Sequence, residues 1–141
     1  MEAHATFELS DQRQLPTADD VASVVGVDLS HSAFTKTFRG ELEGSSVTQM
    51  LAARSPGGAG YVAMERIVGQ LGDRVGTFVL LHVGTLDASG EPTGHWTIVP
   101  GSGTGELAGI SGHAHIGADD DTHRIQLHYE LDGTTPPADR P

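Results

Sequence analysis

The sequence predicts an all-β protein, and three observations favour an eight-stranded antiparallel barrel with a central cavity. Apolar and polar residues alternate with a period of two along most of the chain. Glycine clusters interrupt this alternation at short intervals, as the turns of a sandwich or barrel do. The alternating segments number eight, enough to close a barrel around one small ligand. The best helical pattern covers Asp19–Val27, where Gly26 interrupts it, so only a short helix or turn is expected there.

The segments follow one another from near the N-terminus to residue 131. In Thr35–Glu43, Phe38 and Leu42 share one face, whereas charged residues take the other. Both terminal stretches, Ser10–Asp20 and Gly133–Pro141, have the composition of loops or tails. We therefore expect one domain over residues 1–141, with a core over about 30–131. The predicted strands are His4–Leu9, Thr35–Glu43, Ser46–Arg54, Gly60–Gly69, Val75–Leu86, Gly94–Val99, Glu106–Ile116 and Arg124–Leu131.

Composition and charge exclude several classes of partner. The formal net charge is -11 and Lys36 is the single lysine, so neither nucleic acid nor an anionic membrane is an expected partner. The chain has no cysteine, which excludes disulfides and thiolate chemistry. No signal peptide and no apolar stretch of roughly 18 residues is visible. We expect a cytoplasmic protein.

The stretch Gly60–Gly84 reads as a β-hairpin whose two-residue loop is Gly72-Asp73. This loop pairs Glu65 with Leu80 and Ala63 with His82, which makes Glu65 and His82 diagonal neighbours on one face. A slip of one residue in the loop would place them on opposite faces. The predicted pairs are Leu71–Arg74, Gly69–Gly76, Ile67–Phe78, Glu65–Leu80, Ala63–His82 and Tyr61–Gly84.

The opposite face of this hairpin is also mostly apolar. A strand that is apolar on both faces is usually buried on both, and the outer face of a barrel then needs a cover. The cover is either a terminal segment or another subunit, and we expect a homo-oligomer. The apolar residues of this face are Val62, Met64, Val79, Leu81 and Val83.

Glu65 and His82 admit two interpretations. They are either a satisfied polar pair that fixes the arrangement of the core, or an acid/base pair at the edge of an apolar pocket. On the following strand either Trp96 or His95 faces inward, and Trp96 with Ile98 makes the more apolar face. The expected catalytic residues are Glu65 and His82; the expected ligand-binding residues are Tyr61, Phe78, Leu80, Trp96 and Tyr129.

No motif in the sequence indicates a cofactor or a metal. The glycine-rich stretch Pro100–Gly109 lacks the helix and the lysine of a phosphate-binding loop, so a turn between strands is expected. His113 and His115 alternate as metal ligands can, but no close carboxylate supplies a third ligand. We therefore expect neither a metal nor a cofactor.

Several stretches resemble one bacterial family of small domains of unknown function, related in fold to plant allene oxide cyclase. They are FTKTFRGELEGSS, GYVAMERIVGQLGDRVGTFVLLHVGTLD, VPGSGTGELAGISG and the closing LHYEL. The similarity runs from about residue 30 to 131. It implies a calycin-like barrel of eight antiparallel strands with a central cavity, usually within an oligomer. It also implies that the Glu of the "ER" stretch and the His of the "LLH" stretch recur; here they are Glu65 and His82.

The resemblance and the residues together suggest a barrel that binds a lipophilic small molecule. If the protein is an enzyme, we expect a cyclase or isomerase of a lipophilic or natural-product intermediate. Such an enzyme would confine a flexible substrate and use Glu65 and His82 for proton transfer. The alternatives are a carrier without chemistry and a structural oligomer whose barrel is filled by side chains. A cavity of roughly 300 Å³ or more would favour a ligand.

Overall fold

The computed structural model describes residues 1–18 and 25–131, and every regular element in these ranges is a β-strand. The predicted all-β class is confirmed. The strands are β1 (Glu2–Leu15), β2 (Asp28–Gly40), β3 (Leu42–Ser55), β4 (Gly58–Leu71), β5 (Arg74–Leu86), β6 (Pro92–Ile98), β7 (Thr104–Gly105), β8 (Ile110–Asp119) and β9 (Thr122–Leu131). No helix in the described residues is long and apolar enough to cross a membrane.

Eight of these strands close into an antiparallel barrel. Their order is β4-β3-β2-β1-β9-β8-β6-β5, and pairing between β4 and β5 completes the circle. The short β7 pairs with β5 outside this circle, through Gly76–Gly105 and Thr77–Thr104. Closure gives each barrel strand a neighbour on both sides, although β6 and β8 pair only through Trp96–Ala114 and Thr97–His113.

The β4–β5 hairpin has the predicted register. Gly72 lies at a φ of 63°, as the first central residue of a type II′ loop requires. All six predicted pairs are present, including Glu65 with Leu80 and Ala63 with His82. Trp96 pairs with His82 and is half-buried, whereas His95 is exposed. The preference for an inward Trp96 is therefore confirmed.

Three sequence-based boundaries were wrong. The segment Thr35–Glu43 is not one strand, because the chain turns at Glu41 between β2 and β3. The stretch expected to be a loop from Ser10 onward continues β1 to Leu15, past a bulge between Ser10 and Arg13. The segment Glu106–Ile116 begins as turns, and β8 starts only at Ile110. Of the candidate helix or turn over 19–27, residues 19–24 lie outside the described residues, and Val25 and Gly26 form a turn. The C-terminal tail over 133–141 also lies outside the described residues.

One end of the barrel is filled by large apolar side chains. The glycine-rich stretch 100–109 folds across this end as turns plus β7, as expected, and buries Leu107 to 1 % exposure. The side chains packed there and along the adjoining walls are Phe38, Leu42, Ile67, Leu71, Phe78, Leu80, Ile98, Ile110, Ile125 and Leu127.

Candidate functional site

Glu65 and His82 meet inside the barrel. They project from neighbouring strands onto the same inner face, because the hairpin loop sets their parity. His82 donates from Nε2 to Oε1 of Glu65 at 2.8 Å, since an ionised carboxylate can only accept. The Glu65 side chain is 0 % exposed and the His82 side chain 6 %. The predicted contact exists, and it lies in the core.

Two further residues complete a polar cluster around Glu65. Lys36 of β2 donates from Nζ to the same Oε1 at 3.1 Å, and its side chain is only 6 % exposed. Ser46 of β3 donates to the other oxygen, Oε2, at 2.5 Å. The carboxylate thus accepts from three side chains on three different strands. We call Lys36, Ser46, Glu65 and His82 the buried polar cluster.

Sequence reasoning missed Lys36 and Ser46 as members of this cluster. The signal for Lys36 was present, because it lies two residues before Phe38 and so shares its inward face. A lysine at such a position is rarely buried without a partner. The partner itself comes from β4, two strands away, and only the order of the strands brings the two together.

The buried polar cluster keeps Glu65 ionised. Burial alone raises the pKa of the Glu65 carboxyl, but the His82 hydrogen bond, the Lys36 ammonium and the Ser46 hydroxyl together lower it below its ordinary value of 4.5. The Lys36 ammonium also lies 4.6 Å from the centre of the Phe7 ring, a cation–π contact. The Lys36 ammonium therefore balances the Glu65 carboxylate inside the barrel. Glu65 acts as a hydrogen-bond acceptor and not as a proton donor.

Thr48 adds an unpaired hydroxyl beside this cluster. It pairs with Glu65 in the β3–β4 register and is 1 % exposed. Its Oγ1 has no hydrogen-bond partner among the described residues. Burying a hydroxyl in this way costs free energy, because the water it bonded when unfolded is not replaced.

The end of the barrel opposite to the filled end holds an open cavity of about 550 Å³. Tyr61 and Trp96 supply its aromatic wall, and the Tyr61 ring lies across Gly84, where a Cβ would come 2.3 Å from the ring. Burial raises the pKa of the Tyr61 hydroxyl, opposed by the Trp96 side chain, so it remains a hydrogen-bond donor. The lining residues are Met50, Ala52, Arg54, Ala59, Gly60, Tyr61, Thr85, Leu86, Pro92, Thr93, Gly94, Trp96 and Ile116.

Arg54 is the one charged residue in this lining. It is exposed, and no salt bridge engages it among residues 1–18 and 25–131. The chain has a net charge of -11, yet the single charged residue at the cavity rim is positive. An apolar wall with one cation at its edge matches an amphipathic anion.

The structure separates the predicted site residues into four groups. Tyr61 and Trp96 line the open cavity, whereas Phe78 and Leu80 are packed in the core at 1 % and 0 % exposure. Tyr129 is half-buried against the apolar core and borders a different depression, beside His113 and His128. Glu65 and His82 do not line the cavity either. The His82 ring instead meets the Trp96 ring edge-on, with 6.4 Å between centroids, so Trp96 lies between the cluster and the cavity.

This arrangement limits the chemistry that the interior can perform. One imidazole and one carboxylate beside an ammonium do not make a metal site. His82 is the group best placed for proton transfer, because Glu65 orients its ring and its neighbour Trp96 borders the cavity. Glu65, which is saturated by donors, is a positioning residue in any such reaction.

Comparison with known proteins identifies a family but no activity. A protein from Shewanella oneidensis MR-1, described as of unknown function and from the DUF3224 family, has a crystal structure with a TM-score of 0.84. It is 34 % identical, and the match covers 93 % of this chain and 97 % of that one. No curated protein matches the chain. The family described as "Protein of unknown function (DUF3224)" matches residues 3–129. The chain therefore belongs to the DUF3224 family.

Proposed function

We propose that the open end of the barrel binds a lipophilic small molecule. The observation that carries this proposal is the cavity of about 550 Å³ walled by Tyr61, Trp96 and Met50. Its size lies within the range of small-molecule sites and above the roughly 300 Å³ at which they begin. A structural barrel filled by side chains would have no such space at either end.

The ligand class follows from the single charge at the rim. A molecule with an apolar body and an anionic head would place the body against Trp96 and the head near Arg54. Arginine suits a carboxylate head because its planar fork can donate two parallel hydrogen bonds. We therefore propose a lipophilic carboxylic acid, of a length that fits the cavity, as the preferred ligand.

Paired ligands test this proposal. Trp96 is the only tryptophan, so its fluorescence reports on the cavity directly. Dodecanoic acid and dodecanol, titrated below their micelle or solubility limits, should both change this signal, and the acid should bind about tenfold more tightly. Arg54→Gln should remove the preference for the acid and leave the alcohol unaffected. The matched control is Arg74→Gln, an exposed arginine at the start of β5 that does not line the cavity.

Two results would contradict the proposal. If neither compound changes the Trp96 signal and neither protects the protein against thermal unfolding, the cavity is not a lipophilic site. If both bind but Arg54→Gln and Arg74→Gln behave alike, the assignment of the anionic head is wrong.

Catalysis is a second candidate, supported by the His82–Trp96 contact. A cyclase or isomerase would confine its substrate in the cavity. Rotation of the Trp96 ring would have to bring that substrate within hydrogen-bond reach of His82, which Glu65 holds in place, before a proton could be exchanged. His82→Gln should then abolish turnover while sparing affinity for dodecanoic acid. In a carrier the same variant should change affinity alone.

A homo-oligomer is the proposed state of the protein. On the outer face of the β4–β5 hairpin, Val62, Met64 and Val83 are between 43 % and 49 % exposed, and Val79 and Leu81 are half-buried. A contiguous apolar face of this kind marks an interaction surface. Met64→Glu should lower the mass measured by light scattering to that of the monomer, whereas Ala108→Glu, in an exposed turn, should not change it.

A further inference from the structure

Three histidines converge on the outside of the barrel, away from the open cavity. His113 and His115 lie two residues apart on β8, so they share a face. His128 of β9 pairs directly with His113. The alternate residues Ala114 and Leu127 are buried, which fixes the histidines on the outer surface.

The ring nitrogens of these histidines are close enough to share an ion. One nitrogen from each ring lies within 4.8 Å of the others. In a tetrahedral zinc site with bonds of about 2.0–2.1 Å, ligand nitrogens are about 3.4 Å apart. His113 and His115 are exposed and His128 is half-buried, so small ring rotations can close the difference. The rings already face one another: those of His113 and His128 stack at 5.0 Å, with His115 edge-on to both.

A carboxylate supports the cluster from the neighbouring strand. Glu2 of β1 pairs with His128, and its Oε2 lies 3.5 Å from Nδ1 of that ring. Gln126 and His4 donate to its other oxygen, at 2.9 and 2.7 Å. These two hydrogen bonds hold the Glu2 carboxylate beside the His128 ring. A carboxylate on the second nitrogen of a ligand histidine is the usual outer-shell partner in metal sites.

We propose that His113, His115 and His128 form a surface site for a borderline divalent transition metal, with zinc as the reference ion. Three imidazoles without a hard-oxygen majority select zinc-like ions over calcium or magnesium. Three protein ligands leave a fourth position for water or an exogenous ligand. The expectation of no metal rested on the lack of a third ligand near His113 and His115; the β8–β9 register supplies it. This proposal is independent of the ligand proposed for the cavity.

Calorimetric titration of tag-free protein with zinc chloride tests the site. We expect one ion per chain in the wild type and at least about tenfold weaker binding in His128→Ala and His113→Ala, since each loses one of three ligands. His95→Ala is the matched control, an exposed histidine on β6 outside the cluster, and should bind as the wild type does. Glu2→Gln should weaken binding by about 10–100-fold, as outer-shell changes do.

Cobalt supplies a second measurement that reports geometry. Co²⁺ added to the wild type should give visible bands of tetrahedral intensity, and added imidazole should shift them by occupying the open position. Calcium chloride titrated at the same concentration as zinc chloride should give no heat of binding. Wild-type affinity no greater than that of His128→Ala, or an equal loss in His95→Ala, would overturn the proposal.

Discussion

The two ends of the barrel interior are built from the same strands but filled differently. At the end capped by residues 100–109, Ile67 and Phe78 are each 1 % exposed in a continuous apolar core. At the other end, equivalent inward positions carry Ala52, Gly84 and Gly94, and a cavity of about 550 Å³ remains. The same strands therefore build a packed core at one end and leave an open space at the other.

The buried polar cluster lies at the boundary between these ends. Leu80, the direct partner of Glu65, belongs to the packed core, whereas Trp96, the direct partner of His82, lines the cavity. A charged pair here is stable only because every member is engaged, since a buried charge without a partner is costly. The cluster therefore holds in position the part of the inner wall that borders the cavity.

The largest expected effect comes from removing the carboxylate at this boundary. Glu65→Leu should lower the free energy of unfolding by about 3–5 kcal/mol, because it leaves the Lys36 ammonium buried and unpaired. The double variant Glu65→Leu/Lys36→Met should recover a large part of that loss. Urea unfolding measures both, and equal destabilisation of the single and double variants would show that the ion pair does not hold the boundary.

A matched pair of isoleucines compares the two ends directly. Ile67→Ala, in the packed end, should cost about 2–5 kcal/mol of unfolding free energy because the surrounding side chains cannot fill the space. Ile116→Ala should cost less than half as much, since Ile116 is half-buried and already borders the cavity. Urea unfolding measures both variants. Equal losses of unfolding free energy would show that the two ends do not differ in packing.

Low pH should reduce the contribution of Glu65 to the stability of this boundary. The folded-state pKa of Glu65 lies below its ordinary value of 4.5, so its contribution to stability is complete above about that pH. That contribution is lost as the pH falls through the folded-state value. As the pH is lowered, the free energy of unfolding of the wild type should therefore fall relative to that of Glu65→Leu/Lys36→Met. A difference that stays constant from pH 7 to pH 3 would contradict the assignment.

The smallest expected effect concerns Thr48. Thr48→Val replaces its unpaired hydroxyl with a methyl group of similar size, and should raise the unfolding free energy by about 1 kcal/mol. Thermal unfolding measures the change. A loss of stability would mean that the hydroxyl has a partner in solution, and would extend the polar boundary from Glu65 to Thr48.

The features of the structure that depend on local sequence were predictable. Gly72-Asp73 fixes the loop, the loop fixes the register, and the register places Glu65 beside His82. The contact between Lys36 and Glu65 was not predicted, because it depends on β3 lying between β2 and β4. His128 joins His113 for the same kind of reason, through strand pairing across a turn. The position of the cavity at one end depends on side-chain volumes summed over many strands, which no single segment of the sequence contains.

Filling the cavity is the sharpest test of a ligand site in the open end of the barrel. Ala52→Leu adds apolar volume beside Tyr61 in the cavity wall, whereas Ala108→Leu adds the same volume in an exposed turn. In titrations with dodecanoic acid followed by Trp96 fluorescence, we predict at least about tenfold weaker binding for Ala52→Leu and wild-type binding for Ala108→Leu. Equal affinity in the wild type and Ala52→Leu would contradict a ligand site in the open end of the barrel.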